Sequence, residues 1–348
     1  MIMRDHEYYM RQALELAEAA WGLTSPNPMV GAVVVDEAGN VVGRGYHHGA
    51  GLPHAEPNAL RDAGENARGA TLYVTLEPCC TWGRTPPCTE AVIAAGIRQV
   101  VIGCVDTNPK HAGHGIDVLK SHGITVVTGV LEEECRRLND AFFKWIGTGR
   151  PFVMLKMAMT LDGKIATQSG QSQWITGESA RAWVQRFRCW ADAVMVGGET
   201  VRKDNPSLTV RSPLDWPRQP LRFVWTSRPL PPSAKMLSDG GPVPECVKPQ
   251  TAAEWDEFLA GLGRRQVTAL LLEGGGELAG NALQAGIVDR VAFFVAPKIL
   301  CGRGSRSVTG GENPESLGEA LRLENVQTQF FGNDLLYLAD VTGTQWRE

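Results

Sequence analysis

Thr71-Leu72-Tyr73-Val74-Thr75-Leu76-Glu77-Pro78-Cys79 is the stretch from which the rest of the chain can be read. Thr71 to Leu76 is apolar and β-branched and predicts a strand, with Glu77-Pro78 ending it and Cys79 just beyond. Upstream, a helix is expected to begin near Ala55, where Pro57 is tolerated only in the first turn because its missing N–H is no loss there. Gly31–Val35 and Val41–Gly45, on either side of Asp36-Glu37-Ala38-Gly39-Asn40, predict a β-hairpin. Asp5–Ala20 places Met10, Leu14 and Ala17 at helical spacing, and Thr24-Ser25-Pro26-Asn27-Pro28 breaks that helix. Downstream, a helix over Thr89–Ala95, a strand over Gln99–Val105, a short helix over Ile116–Ser121, a strand over Ile124–Val127 and a helix over Glu132–Trp145 follow in turn. Strands alternating with helices predict a layered α/β domain over residues 1–146.

Gly147-Thr148-Gly149-Arg150-Pro151 reads as a short joint to a second α/β domain, residues 147–348. Its strand candidates are Phe152–Met157, Ala193–Val196, Leu221–Trp225, Ala269–Leu272 and Arg290–Val295, with an amphipathic helix over Ser179–Trp190. Pro229–Pro249, rich in Pro, Gly and Ser, is expected to be a surface loop.

Length and charge narrow the function classes. The 348 residues suit two domains, and 43% hydrophobic with 21% charged residues is ordinary globular composition. A formal charge of −4 argues against a dedicated nucleic-acid binder. No apolar run approaches 18 residues, so no membrane span is expected. Met1 to Arg11 is charged and aromatic without the apolar core of a secretory signal, which points to a cytoplasmic protein. In that reducing setting clustered cysteines read as metal ligands or reactive thiols. Cys79, Cys80 and Cys88 cluster, while Cys104, Cys135, Cys189, Cys246 and Cys301 are scattered and are expected to be buried small hydrophobes.

His54-Ala55-Glu56, Pro78-Cys79 and Cys88 together supply one imidazole, two thiolates and a carboxylate that need not ligate. Three protein ligands leave a tetrahedral zinc with one position for water, the arrangement of a catalytic site. Zinc acidifies that water toward neutrality, and Glu56 is placed to carry its proton to a leaving amine. This is the H-x-E…P-C-x-x-C chemistry of the zinc deaminases, except that eight residues, Cys80 to Pro87, separate Cys79 from Cys88. A purely structural zinc is the alternative. It would want a fourth ligand, for which Cys80 is the obvious candidate, and adjacency to Cys79 makes joint ligation strained.

Pro26-Asn27-Pro28-Met29-Val30-Gly31, Gly49-Ala50-Gly51-Leu52-Pro53-His54-Ala55-Glu56, Thr75-Leu76-Glu77-Pro78-Cys79, Gly83-Arg84-Thr85-Pro86-Pro87-Cys88 and Asp106-Thr107-Asn108-Pro109-Lys110 resemble the bifunctional riboflavin-biosynthesis deaminase/reductases. The long Cys79–Cys88 insertion is a feature of that family. The resemblance implies a cytidine-deaminase-like three-layer α/β/α first domain, with His54, Cys79 and Cys88 on zinc and Glu56 as proton donor. It also places Asn27 and His47 near the substrate. Two positions depart from the family: Thr81 stands where a His is common, and Thr107 where a Pro is common.

In the second domain, Leu271-Leu272-Glu273-Gly274-Gly275-Gly276-Glu277-Leu278-Ala279-Gly280 runs a strand through glycines into a helical segment, a turn that lets backbone N–H groups approach a phosphate. It is not G-x-G-x-x-G, and a tight strand-to-helix connection explains it equally. Polar runs after the other strands suit a pocket at the strand ends. These segments resemble the reductase half of the same enzymes, whose fold is similar to dihydrofolate reductase. The resemblance implies NADPH contacts at Ala158, Trp174, Thr200, Asp204 and Ser227, with Gly275, Gly276, Glu277, Leu278, Ala279, Gly280 and Asn281 around its phosphates. Substrate contacts would be Ser172, Arg188, Leu208, Arg211 and Glu273; arginines suit a phosphorylated sugar because they donate in pairs. Lys156 and Asp204 are candidates for assisting the proton. The expected substrate is a phosphoribosyl pyrimidine, without nucleic-acid or membrane partners, and the expected assembly is a homo-oligomer. Two rival readings stay open on the residues alone: a nucleobase or tRNA deaminase with an appended domain, and a zinc-binding module without activity.

Overall fold

Asp5 accepts the Tyr8 N–H at 2.9 Å and caps the first helix, α1 (His6–Glu18), which buries Tyr9, Met10, Ala13 and Ala17 along one stripe. The computed structural model describes residues 5–83, 85–108, 112–312 and 314–343. The chain divides into two compact units between Thr148 and Gly149.

In the first unit α1 is followed by β1 (Gly31–Val35), β2 (Val41–Tyr46), α2 (Ala55–Ala63), β3 (Thr71–Leu76), α3 (Cys88–Ala94), β4 (Gln99–Cys104), α4 (His114–Ser121), β5 (Thr125–Thr128), α5 (Glu132–Leu138) and α6 (Asp140–Thr148). The five strands form one sheet in the order β2-β1-β3-β4-β5, antiparallel on the β2 side and parallel from β3 to β5. β1 and β3 are buried at every position, as strands covered on both faces must be. The register shows which helix covers which face. A side chain at Gly31 would run into α1, whereas side chains at Gly43 and Gly45, which pair with Val34 and Ala32, would run into α2. Side chains alternate along a strand, so α1 and α2 lie on opposite faces. Gly103 of β4 shares the α1 face and admits Cys135 of α5. The result is three layers, α/β/α.

One predicted helix is two. Asn139 interrupts the run from Glu132 because its buried carboxamide leaves the helix for the Met29 backbone, accepting Met29 N–H at 2.7 Å and donating to Met29 O at 2.8 Å. Those bonds tie the end of the unit to its beginning.

The second unit contains β6 (Phe152–Thr160), β7 (Lys164–Ala166), α7 (Glu178–Trp190), β8 (Ala193–Gly197), α8 (Gly198–Asp204), β9 (Leu221–Trp225), β10 (Glu245–Val247), α9 (Ala252–Arg264), β11 (Ala269–Glu273), α10 (Gly276–Gln284), β12 (Arg290–Ala296), β13 (Arg306–Ser307), β14 (Leu323–Phe331) and β15 (Asp334–Val341). Eight of the strands form a sheet ordered β10-β9-β8-β11-β6-β12-β15-β14. It is parallel from β10 to β12, with β15 and β14 added antiparallel. β7 and β13 pair separately as a short ribbon. The core joins Leu155, Met195, Phe223, Leu270 and Leu272 of the strands to Trp255 and Leu259 of α9 and Leu278 of α10.

The expected surface loop Pro229–Pro249 is more than that. Ala234 and Met236 are buried, and β10 adds a parallel strand to β9. Arg222, fully buried on β9, organises the segment by donating to the carbonyls of Met236, Pro242 and Ser207 and to Asp239. Among the scattered cysteines, Cys104, Cys135 and Cys189 are buried as expected, but Cys246 and Cys301 are exposed. Cys246 sits on the edge strand β10, and Cys301 in a loop at φ 57°. Among the described residues no helix is long and apolar enough to cross a membrane.

Candidate functional site

In the first unit α2 begins at Ala55, so His54 is its N-cap residue and Glu56 lies in its first turn, 3% exposed. Cys79 follows β3, and Cys88 is the first residue of α3, its N–H donating to Cys79 Sγ at 3.3 Å. His54 Nδ1 stands 3.2 Å from Cys88 Sγ and 3.6 Å from Cys79 Sγ, and the three donor atoms all lie within 4.8 Å of one another. Tetrahedral zinc, with bonds of about 2.0 Å to nitrogen and 2.3 Å to sulfur, sets such donors about 3.5 Å apart, so this donor set fits that ion. Cys80 is not among the three converging residues.

The site's protonation follows from burial and proximity. Burial pushes the Glu56 carboxyl up to about 7, with the nearby Cys79 sulfur adding to the rise. A hydrogen bond with Cys88, then one with His54, pulls Cys79 down to about 4, and the same thiol–thiol bond drives Cys88 up. His47 is buried against this cluster, its ring edge-on to His54 with centroids 5.1 Å apart. Its Nδ1 lies 3.1 Å from the Pro53 carbonyl, which only accepts, so Nδ1 carries the proton and Nε2 accepts from Asn27 Nδ2 at 3.1 Å. Asn27 and His47 therefore reach the site as a bonded pair.

A residue with no assigned role in the sequence reading is Glu77. Its buried carboxylate accepts the N–H groups of Asp106, Gly113, Gly115 and Ile116 at 2.9–3.3 Å. It thereby pins the segment after β4 to the end of β3. Position in the Thr75–Cys79 motif was the only signal for it. Thr81 and Thr107 are exposed; Arg84, Pro109 and Lys110 of the quoted motifs lie outside the described residues.

In the second unit a cleft of about 1020 Å³ opens over the C-terminal ends of the parallel strands. That is the top of the usual range of about 300–1,000 Å³ for a ligand pocket, room for two molecules. Ala158, Ser172, Trp174, Arg188, Thr200, Asp204, Leu208, Arg211, Ser227, Glu273, Gly275, Gly276, Glu277 and Leu278 all line it. Ala279, Gly280 and Asn281 do not. They belong to the next turn of α10, where Ala279 is buried, Gly280 packs on the Gly310 backbone, and Asn281 donates to Gln250 O and accepts from Trp255 Nε1.

Gly274 and Gly275 have φ of 77° and 93°, open to glycine and strained for other residues. A Cβ at Gly275 would stand 3.5 Å from Gly197 Cα and 3.5 Å from Thr200 Oγ1, filling the gap between the starts of α8 and α10. The gap is a backbone cradle sized for phosphate oxygens, which fits a dinucleotide. Ser172 donates to Asp204 at 2.7 Å, joining an expected substrate contact to an expected cofactor contact. Trp174 is exposed, with the Arg181 guanidinium 4.4 Å from its ring centre. Leu208, at φ 60°, is buried, and Arg222 holds the preceding carbonyl of Ser207 at 2.8 Å. At the floor, Arg188 donates to both Glu273 oxygens. Glu273 is thus engaged from within. Lys156, opposite Glu273 in the strand register, sits 5.8 Å from the Phe294 ring centre. Burial lowers its amine, and Arg188 lowers it further.

Two family models match: the cytidine and deoxycytidylate deaminase zinc-binding region over residues 3–104 and the RibD C-terminal domain over residues 151–337. Fold and site together define a bifunctional enzyme, a zinc-type deaminase followed by a reductase domain. The chain belongs to the RibD family of riboflavin biosynthesis proteins. It is 44% identical over 353 residues to riboflavin biosynthesis protein RibD of Actinobacillus pleuropneumoniae, covering 94% of this chain and 93% of that one. The Aquifex aeolicus protein of the same name is 42% identical over 355 residues, with 97% and 98% covered. Among solved structures, Acinetobacter baumannii RibD matches with a TM-score of 0.86 at 38% identity, over 97% of this chain and 99% of that chain. A Thermotoga maritima diaminohydroxyphosphoribosylaminopyrimidine deaminase/5-amino-6-(5-phosphoribosylamino)uracil reductase matches at 0.82 and 36%, over 97% and 98%.

Proposed function

We propose that the first unit hydrolyses the 2-amino group of 2,5-diamino-6-(5-phosphoribosylamino)pyrimidin-4-one to give 5-amino-6-(5-phosphoribosylamino)uracil, and that the second reduces its ribosyl group to ribityl with NADPH. The observation that carries the reading is the convergence of His54, Cys79 and Cys88 beside the buried carboxyl of Glu56. His54, Cys79 and Cys88 would hold zinc, which when bound would acidify water to a nucleophile near neutral pH. Glu56, with its carboxyl near 7, is poised both to take and to give a proton there. It takes the proton released as water oxygen bonds to the ring carbon. It returns that proton to the amino nitrogen as the carbon–nitrogen bond breaks and ammonia leaves. Neutral His47, its tautomer set by Pro53 and Asn27, and Asn27 itself orient the pyrimidine.

In the second unit the glycine cradle would hold the dinucleotide, and NADPH when bound there would supply the hydride for the sugar C1. Opening the ribose ring also requires a proton on the ring oxygen. Lys156 is the group assigned to deliver it, because its amine is at the cleft floor and burial loosens its proton. Arg211, exposed at the cleft with no hydrogen-bond partner for its guanidinium among the described residues, takes the substrate phosphate.

The test combines zinc analysis of the purified protein with ammonia release and NADPH consumption on the phosphoribosyl substrate. One equivalent of zinc and both reactions support the reading; no zinc, or neither reaction, rejects it. We further propose a cytoplasmic homo-oligomer without nucleic-acid partners. β14, the edge of the large sheet, supports the self-association: it is exposed at eight of its nine positions, with Phe330 71% exposed. Light scattering that returned a monomer would reject it.

A further inference from the structure

The order of strands says how a dinucleotide must lie in the second unit. The glycine cradle sits over β8 and β11, the middle of the parallel sheet. On one side are β6 and β12, which carry Lys156 and the reacting end. On the other side, one strand and about 4.8 Å away, is β9. A cofactor whose nicotinamide reached Lys156 would therefore extend its adenosine ribose toward the end of β9.

That end is built for more negative charge than a ribose carries. Arg202 of α8 donates to the carbonyls of Arg228 and Pro229 at 3.5 and 3.3 Å, and the Arg228 N–H donates to Thr226 Oγ1 at 3.1 Å, so the turn after β9 is fastened to the sheet. Fastening the backbone there presents the Arg228 side chain, 66% exposed, at the cleft next to the Ser227 hydroxyl. Lys248 stands 5.4 Å from the Trp225 ring centre on the same rim. Among the described residues the carboxylate paired with these cations is Glu199, which bonds both Arg202 and Arg228. An acidic side chain at this place in a dinucleotide site normally accepts the free ribose 2′-hydroxyl of the unphosphorylated cofactor, whereas an arginine accommodates the 2′-phosphate. Here the acid is committed to two arginines, and a dianionic phosphate is the stronger competitor for Arg228.

We propose that Arg228 is the residue that selects NADPH over NADH, by exchanging its Glu199 partner for the 2′-phosphate, with Ser227 and Lys248 completing the pocket. The assignment rests on the reading that the second unit takes NADPH. It adds the residue that reads the one group distinguishing the two cofactors.

Calorimetric titration of the full chain with NADPH and with NADH tests it without turnover. Arg228→Ala should weaken NADPH about tenfold or more and leave NADH within about twofold, because an exposed side chain is removed and only one ligand loses a charge-assisted bond. Glu199→Gln should tighten NADPH about twofold to fivefold by releasing Arg228 from its competitor. An unchanged ratio of the two affinities in Arg228→Ala overturns the assignment alone. Failure of the unsubstituted chain to prefer NADPH overturns the cofactor reading, and the assignment with it.

Discussion

Arg188 and Glu273, 85 residues apart in the chain, are joined by two parallel hydrogen bonds of 2.6 and 2.9 Å, with both side chains less than a tenth exposed. The pair closes the floor of the second unit's cleft. Burial by itself would raise the Glu273 carboxyl, but the charge and hydrogen bonds of Arg188, with help from Lys156 and Arg211, hold it below the ordinary carboxylate range. Both residues were expected to touch substrate. Their mutual bond makes the pair a rigid platform, beside which the Arg211 guanidinium has no hydrogen-bond partner among the described residues.

Removing one partner should then cost more than removing both. Glu273→Ala leaves a buried guanidinium without its counter-charge and is expected to lose about 3–5 kcal/mol of stability, whereas Arg188→Met with Glu273→Leu should recover most of it. Urea unfolding of the two variants decides the matter. Equal losses would mean that the pair is not buried as a unit.

Glu56→Gln keeps the size of the side chain and removes its ability to carry a proton. Because Glu56 is not one of the converging donors, zinc content should be unchanged while deamination falls by about 10²–10⁴-fold. Ammonia release at an undiminished rate, with zinc still bound, rules out the proton-carrying role.

Metal removal should separate the two activities. The zinc donors all lie in the first unit and the cleft lies wholly in the second. Cys88→Ser, or dialysis against a strong chelator, is expected to abolish ammonia release and to leave NADPH consumption on the already deaminated substrate within about twofold. Parallel loss of both reactions would contradict two independently working sites.

What could be read in advance depended on the range of the interactions. β3, β4 and α2 were legible because apolar runs, proline placement and helix periodicity are local; His54–Glu56 opens α2, and Cys79–Cys88 joins β3 to α3. Asn139 was not legible as a helix break. Its reason for leaving the helix is Met29, 110 residues earlier. The Pro229–Pro249 segment looked like solvent-exposed loop because the residue that orders it, Arg222, belongs to β9. Of the Gly275–Asn281 stretch, the first four residues line the cleft. After Leu278 the helix has turned, and Ala279, Gly280 and Asn281 face the protein instead of the cleft.

Arg211 should matter for substrate and not for cofactor. Its guanidinium lines the cleft near the Arg188–Glu273 pair, whose charges mutually offset, so a substrate phosphate there meets Arg211 as a donor without a counter-charge bonded to it among the described residues. Arg211→Ala is expected to raise KM for the phosphoribosyl substrate about tenfold to a hundredfold with KM for NADPH nearly unchanged. A rise shared by both constants would place the phosphate elsewhere.

The acid–base behaviour of the reductase provides a check on Lys156. Burial lowers its pKa below the ordinary lysine value of 10.5, Arg188 lowers it further, and Glu273 opposes them. The protonated amine is the donor, so the rate of reduction should be highest below that lowered pKa and fall as pH rises through it, earlier than a free lysine would dictate. Lys156→Arg keeps a charge that does not titrate in the working range, and its alkaline fall should disappear at whatever rate remains. Lys156→Met removes the donor and should slow reduction by about 10²–10⁴-fold while NADPH still binds. A pH profile in Lys156→Arg that retains the same alkaline fall assigns the titrating group to another residue, because the guanidinium introduced there holds its proton throughout that range.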